Sequence, residues 1–151
     1  MRSSGDPTGG TDGHPGRGLG LPVAGRGSVS GFGARLVGLV VDWVVCLLVV
    51  SAFVGGDVWS GGGIVQAAPL LVLFVEHTLL VGLLGTTIGH RVVGIRVVGI
   101  RVAGANQRPL GLARSAVRAL LLCLAVPPLL MDRDARGLHD RAAQSVVVRD
   151  R

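Results

Sequence analysis

Three ionisable side chains stand inside apolar runs. Asp42 interrupts the stretch from Leu36 to Val54, and Glu76 and His77 interrupt the one from Ile64 to Leu84. Arg35 precedes Asp42 by seven residues. At ~100° per residue the two project from nearly the same face of a helix, ~10 Å apart along its axis. A charged aspartate that deep in hydrocarbon costs roughly 2.5 kcal/mol or more. Asp42 must therefore face protein, water or a partner cation, or else carry a proton. Two readings stay open: a buried polar anchor that fixes helix packing, and a proton or cation site.

If the two runs form an antiparallel hairpin, Asp42 is level with Thr78, and Glu76 with Val44. Two carboxylates and an imidazole at one depth could share protons, because like charges raise one pKa. Glu76 and His77 diverge by ~100°, so at most one points squarely at Asp42. Near the end of the chain, Arg136-Gly137-Leu138-His139-Asp140-Arg141 adds another carboxylate. A single His-Asp pair is a weak metal signal, and Asp140 is expected to pair with Arg35, Arg91 or Arg96. Nucleophile motifs, phosphate loops and zinc spacings are missing. The sequence thus gives no case for an enzyme, a metal site or a cofactor.

The elements that must position these residues are apolar and sparsely aromatic. Of the 151 residues, 49% are hydrophobic, but only 3% are aromatic and none is tyrosine. A soluble core of this size would draw on aromatic rings; here Val, Leu, Ala and Gly carry the apolar content in long blocks, which points to lipid. All fifteen basic residues are arginine, and the net charge is +6. They cluster at the ends of apolar stretches with no aromatics interleaved to stack on bases, which argues against nucleic acid and for anionic lipid headgroups. Cys46 and Cys123 lie inside apolar segments and read as small hydrophobes. A cleavable signal peptide is not expected.

Residues 1–31 are rich in Gly, Ser, Pro and Asp and are expected to form a disordered tail. Residues 32–148 form the membrane domain. Leu36 to Val54 is ~28 Å long as a helix, close to the ~30 Å of bilayer hydrocarbon, and Ile64 to Leu84 is a second span in which Pro69 falls early enough to be tolerated. The loop between them has no arginine, whereas Arg35 flanks one end and Arg91, Arg96 and Arg101 follow the other. The positive-inside rule then puts both ends of the hairpin, and the N-terminus, in the cytoplasm, with Trp59 near the outer interface.

A short repeat, Val92-Val93-Gly94-Ile95-Arg96 then Val97-Val98-Gly99-Ile100-Arg101, follows. Its first part suits a short interfacial helix. Its second part reads as a strand running into the polar turn 105–109, and Ser145 to Arg149 reads as its partner in a small cytoplasmic β-ribbon. Leu110 to Met131 begins as an amphipathic helix with Arg114 and Arg118 on one face. Its uncharged remainder, with Pro127-Pro128, is short for a span, and arginines on both sides favour a re-entrant element over a third full crossing. Snorkelling arginines could still stretch it into a span. The expected fold is an α-helical membrane protein: a transmembrane helical hairpin, a third apolar helix (re-entrant or spanning) and the ribbon.

Three motifs in order carry a resemblance. They are Gly33-Ala34-Arg35-Leu36 leading to Asp42-Trp43, the run from Thr87 to Val98, and Arg136 to Arg141. Together they resemble the RDD family of bacterial integral membrane proteins, named for one arginine and two aspartates. The resemblance covers about Phe32 to Val148 and assigns those roles to Arg35, Asp42 and Asp140. The sequence departs from the family pattern at His90, where lysine is usual, and in a longer stretch between Glu76 and Thr87. It implies the plasma membrane of a bacterium. For some members the resemblance brings sodium/proton antiport.

Arg35, Asp42, Glu76, His77 and Asp140 are accordingly read as one polar network closing the cytoplasmic half of the hairpin. Two functions follow. One is an accessory or structural membrane component without turnover, beside a membrane partner protein. The other is a cation/proton transporter or transporter subunit, which in so small a chain requires a homo-oligomer.

Overall fold

The computed structural model describes residues 14–55, 58, 62–100, 109–124 and 136–151. Helix α1 (Phe32–Val54) ends where Gly55 turns left-handed, φ 75°, and its N–H closes on the Ser51 carbonyl. Helix α2 (Ile64–Leu84) is regular from Ile64 to Glu76, widens into a π turn at His77–Val81, and finishes as an α turn at Gly82–Leu84. With 23 and 21 residues, both exceed the ~20 that a span needs. Only 22% and 28% of their apolar windows are buried within the chain. Leu48, Phe53, Leu71 and Leu83 instead face outward. Core helices of a water-soluble domain would hide such side chains; these leave them on the outer surface, as lipid-facing helices do.

Each buried stripe is narrow. On α1 it is Gly38, Asp42, Cys46 and Val50, a strict four-residue repeat along one face. Against its first half lies the short helix α3 (Ile88–Val93), capped at its start by the Thr87 hydroxyl, which accepts the His90 N–H at 3.1 Å. The approach is close enough that a Cβ on Gly89 would strike the Gly38 carbonyl oxygen and stand 2.9 Å from the Asp42 Cγ. Glycine at both contacts is what lets the backbones meet.

Strand β1 (Ile95–Gly99) pairs antiparallel with β2 (Ser145–Arg149), placing Val97 opposite Val147 and Val98 opposite Val146. Alternation divides the ribbon between two clusters. Ile95, Val97 and Val147 pack with Val81, Leu110 and Ala143 toward the helices, while Val98, Val146 and Val148 pack with Leu21, Leu19 and Val29 on the other side. Helix α4 (Leu112–Cys123) lies across the π turn of α2, and the short α5 (Leu138–Ala142) bridges α4 and β2.

Two expectations change. The first strand begins at Ile95 rather than Val97, because the turn at Gly94 (φ 73°) ends α3 and starts the ribbon at once. The tail read as disordered through residue 31 is packed from His14 onward. Gly27 N–H and Arg149 N–H bond to Arg149 and Ser28 carbonyls, Ser30 N–H bonds to the Val147 carbonyl, and Val29 bridges Val148. The tail thus covers the outer edge of β2, satisfying backbone groups that an open edge would leave bare. Leu19, Leu21 and Val29 of the tail find a partner surface that composition does not reveal. Trp59, most of the 105–109 turn, and residues 125–131 with Pro127-Pro128 lie outside the described residues, as do residues 1–13.

Candidate functional site

Asp42 is fully buried. One carboxylate oxygen accepts the Thr87 hydroxyl at 2.6 Å and the other accepts the Gly89 backbone N–H at 2.6 Å. Both donors belong to the start of α3, so a side chain on α1 supplies a cap to another helix. The first N–H groups of any helix lack intrahelical partners, and a carboxylate is the strongest acceptor for them. His77 Nε2 stands 3.4 Å from the same carboxylate.

The π turn begins at His77. One extra residue in a turn re-aims the side chains that follow, and His77 and Val81 are both buried there. Of the adjacent pair on α2, His77 meets Asp42, while Glu76 Oε2 accepts the Cys46 thiol at 3.2 Å. Glu76 Oε1 is buried without a hydrogen-bond partner.

Arg35 joins a second group. Its Nη1 lies 3.1 Å from Asp140 Oδ2, its Nε donates to the Ser30 carbonyl at 3.2 Å, and its Nη2 donates to the Val147 carbonyl at 3.3 Å. Arg118 Nε donates to Asp140 Oδ1 at 2.9 Å, and the Ser145 hydroxyl reaches the same oxygen at 3.3 Å. One carboxylate of α5 therefore gathers α1, α4 and β2. Burial pushes the Asp140 pKa up, but Arg118, His139 and Arg35 outweigh it and hold the carboxyl below its ordinary 3.8. A desolvated charge keeps its ionised form only when paired this closely.

The expected single network divides in two. Arg35 and Asp42 share a face of α1 by spacing, yet each joins α1 to a different distant element. Of the three arginines proposed for Asp140, Arg35 is the partner, while Arg96 stands 3.7 Å from Asp150. Thr87, Gly89 and Arg118 escape a search for titratable clusters. The signals were a hydroxyl three residues before His90, which is an N-cap spacing, and the i, i+4 pair Arg114–Arg118.

Between the two groups lies a cavity of about 40 Å³. Arg35, Arg118, His77, His90 and His139 line it. The His77 and His90 rings meet edge to face with centroids 5.8 Å apart. Burial, with Arg118 next in effect, pushes the His90 pKa down to about 3. Burial also drives His139 down to about 4, opposed by Asp140 and reinforced by Arg118. Both imidazoles are neutral at neutral pH. Among the described residues, no cluster of three or more His, Cys, Asp or Glu side chains could hold a metal ion.

No curated protein and no solved structure matches the chain. A family model does, over residues 29–144: that of the RDD family. The match spans most of the chain and contains Arg35, Asp42 and Asp140, the residues that organise the two buried groups. Its apolar, outward-facing helices are those of a membrane protein, and the chain belongs to the RDD family.

Proposed function

We propose that this chain is a non-catalytic, accessory or structural component of the bacterial plasma membrane, in which the three family residues act as latches. The supporting observation is the use to which both aspartates are put. Asp42 spends its oxygens on donors at the start of α3, and Asp140 spends its own on Arg35, Arg118 and Ser145. Each latch ties the membrane helices to the α3–ribbon–α5 module. α1 and α2 form a transmembrane hairpin with the N-terminus and ribbon in the cytoplasm, and the segment 110–131 enters the bilayer without crossing it. Arginines at the ribbon end lie against anionic headgroups. The outward apolar faces leave room for a membrane partner protein or a second copy.

A second reading rests on a different observation. Glu76 Oε1 is buried with no partner one turn from the His77–Asp42 contact, on a helix widened by a π turn. π turns recur at functional sites. An oligomer with a proton-exchanging Asp42–His77–Glu76 group would be a sodium/proton antiport-like transporter. Proton flux into vesicles under an imposed sodium gradient separates the two. The latch reading expects wild type, Asp42→Asn and Glu76→Gln all to match empty vesicles. Sodium-dependent flux in wild type that is lost in Glu76→Gln, which breaks no latch, would overturn it.

A further inference from the structure

Beside the last residue of α2, a recess of about 350 Å³ opens between the end of α3 and the end of β2. That size falls within the ~300–1,000 Å³ typical of ligand clefts. Arg91, Arg96 and Arg151 line it, together with Asp150, Thr86 and Leu84. Neither latch uses any of these side chains. Three guanidiniums therefore share a hollow with one carboxylate, and that carboxylate already faces Arg96, whose Nη1 stands 3.7 Å from Asp150 Oδ1. Arg91 and Arg151 are exposed and, among the described residues, make no ion pair.

The fold fixes where these arginines stand. Arg91 belongs to the last turn of α3, which Gly94 ends with φ 73°. The Gly94 carbonyl accepts the Asp150 N–H at 2.8 Å, tying the end of β2 to that turn. The stem of Arg151 then lies against Gly94, its carbons 3.7 Å from where a Cβ would stand. The rim is apolar on its α2 side, where Leu84 is 50% exposed and its neighbour Leu83 59%. A small anion from the aqueous phase would gain nothing from that rim. A phospholipid matches both halves, with a phosphate for the guanidiniums and acyl chains for the apolar end of the span. Guanidinium N–H groups pair well with phosphate oxygens, and basic pockets at the ends of membrane helices suit anionic headgroups. A zwitterionic headgroup would bring an ammonium that the same guanidiniums repel.

We propose that this recess binds one anionic glycerophospholipid, its phosphate held by Arg91 and Arg151 and its acyl chains leading away past Leu84. The inference rests on the reading that arginines at the ribbon end meet headgroups, and it replaces a diffuse attraction with one saturable site. It is independent of the latches.

The test reconstitutes the full chain in phosphatidylcholine nanodiscs with increasing amounts of phosphatidylglycerol and follows thermal unfolding. The midpoint is expected to rise and saturate, as a ligand that binds only the folded state requires. Arg91→Gln and Arg151→Gln should each weaken the apparent affinity by about tenfold, the loss of a charge-assisted hydrogen bond. In pure phosphatidylcholine both should unfold with the wild type, because neither arginine is paired within the described fold. Arg149→Gln removes the same charge nearby without lining the recess, and is expected to weaken the response far less. Equal losses in all three variants would overturn the site while leaving a diffuse attraction to headgroups intact. A midpoint indifferent to phosphatidylglycerol would overturn the site and the headgroup reading together. Inorganic phosphate added to phosphatidylcholine nanodiscs should leave the midpoint where it was; a rise equal to that given by phosphatidylglycerol would make a free anion the ligand and overturn the lipid assignment.

Discussion

His139 makes the cost of burial measurable. Its ring stays neutral in the fold down to about pH 4, whereas in the unfolded chain it takes up a proton near its ordinary 6.5. Between those values the unfolded state binds more protons, so stability falls as pH falls, and below about 4 this contribution levels off. The window is worth on the order of 3 kcal/mol for His139 alone. Asp140 adds to the loss at lower pH, because its depressed pKa stabilises the fold above 3.8 and is forfeited as the carboxyl protonates. Unfolding midpoints measured from pH 7 to 4 should therefore drop steadily in wild type and less in His139→Gln; parallel curves would refute the assignment. Gly89 is tested by volume instead. Its missing Cβ would meet Gly38 and Asp42, so Gly89→Ala is expected to cost about 1–3 kcal/mol from overpacking. The same change at Gly33, inside α1 where a Cβ meets nothing within 4 Å, is the control that should not destabilise.

At the scale of elements, α5 depends on one residue. It is five residues long, too short to persist by propensity, and Asp140 fixes it through two arginines on other helices. Asp140→Asn leaves those guanidiniums buried without their counter-charge, a loss of about 3–5 kcal/mol for a broken buried pair. Hydrogen exchange should rise in α5 and β2 together, while α1 amides facing lipid stay protected. Uniform exchange across all elements would mean that Asp140 does not act as a local clasp. The same contrast explains what was legible beforehand. Apolar runs such as Leu36–Val54 and Ile64–Leu84 announce helices because hydrophobic content and length are one-dimensional properties, and β-branched Ser145–Arg149 coincides with β2 for a similar reason. Partners of Asp42 were not legible. They depend on α3 folding back along α1, a contact allowed by glycines at 38 and 89 rather than marked by any charge. The π turn was hidden too, since nothing in His77–Val81 differs in composition from an ordinary helix. The folded part of the tail was missed because its few apolar residues count only once β2 offers them an edge.

For the whole molecule, the proposed orientation follows from the arrangement of charge. Arg35, Arg91, Arg96, Arg118 and Arg149 all belong to the end where the ribbon, α3 and α5 gather, while the segment joining α1 to α2 contains no arginine. Placing the ribbon end outside would carry several arginines across the bilayer, against the bias that fixes membrane topology. The ribbon is also tied to α1 through Arg35, whose Nη2 donates to the Val147 carbonyl. The ribbon and the start of α1 must therefore share one side of the membrane. Single cysteines at Asp57 and Ser145, in a chain with Cys46 and Cys123 removed, test this in intact cells. An impermeant maleimide should label position 57 from outside. Position 145 should react only after the membrane is opened, and slowly even then because Ser145 is buried; Arg151, which is exposed, gives the same side a faster reporter. External labelling at 151 with protection at 57 would invert the hairpin and place both latches outside the cell. Labelling of 57 and 151 alike from outside would instead require a third crossing between β1 and β2, which their pairing and the Arg35–Val147 bond forbid for a ribbon packed as observed.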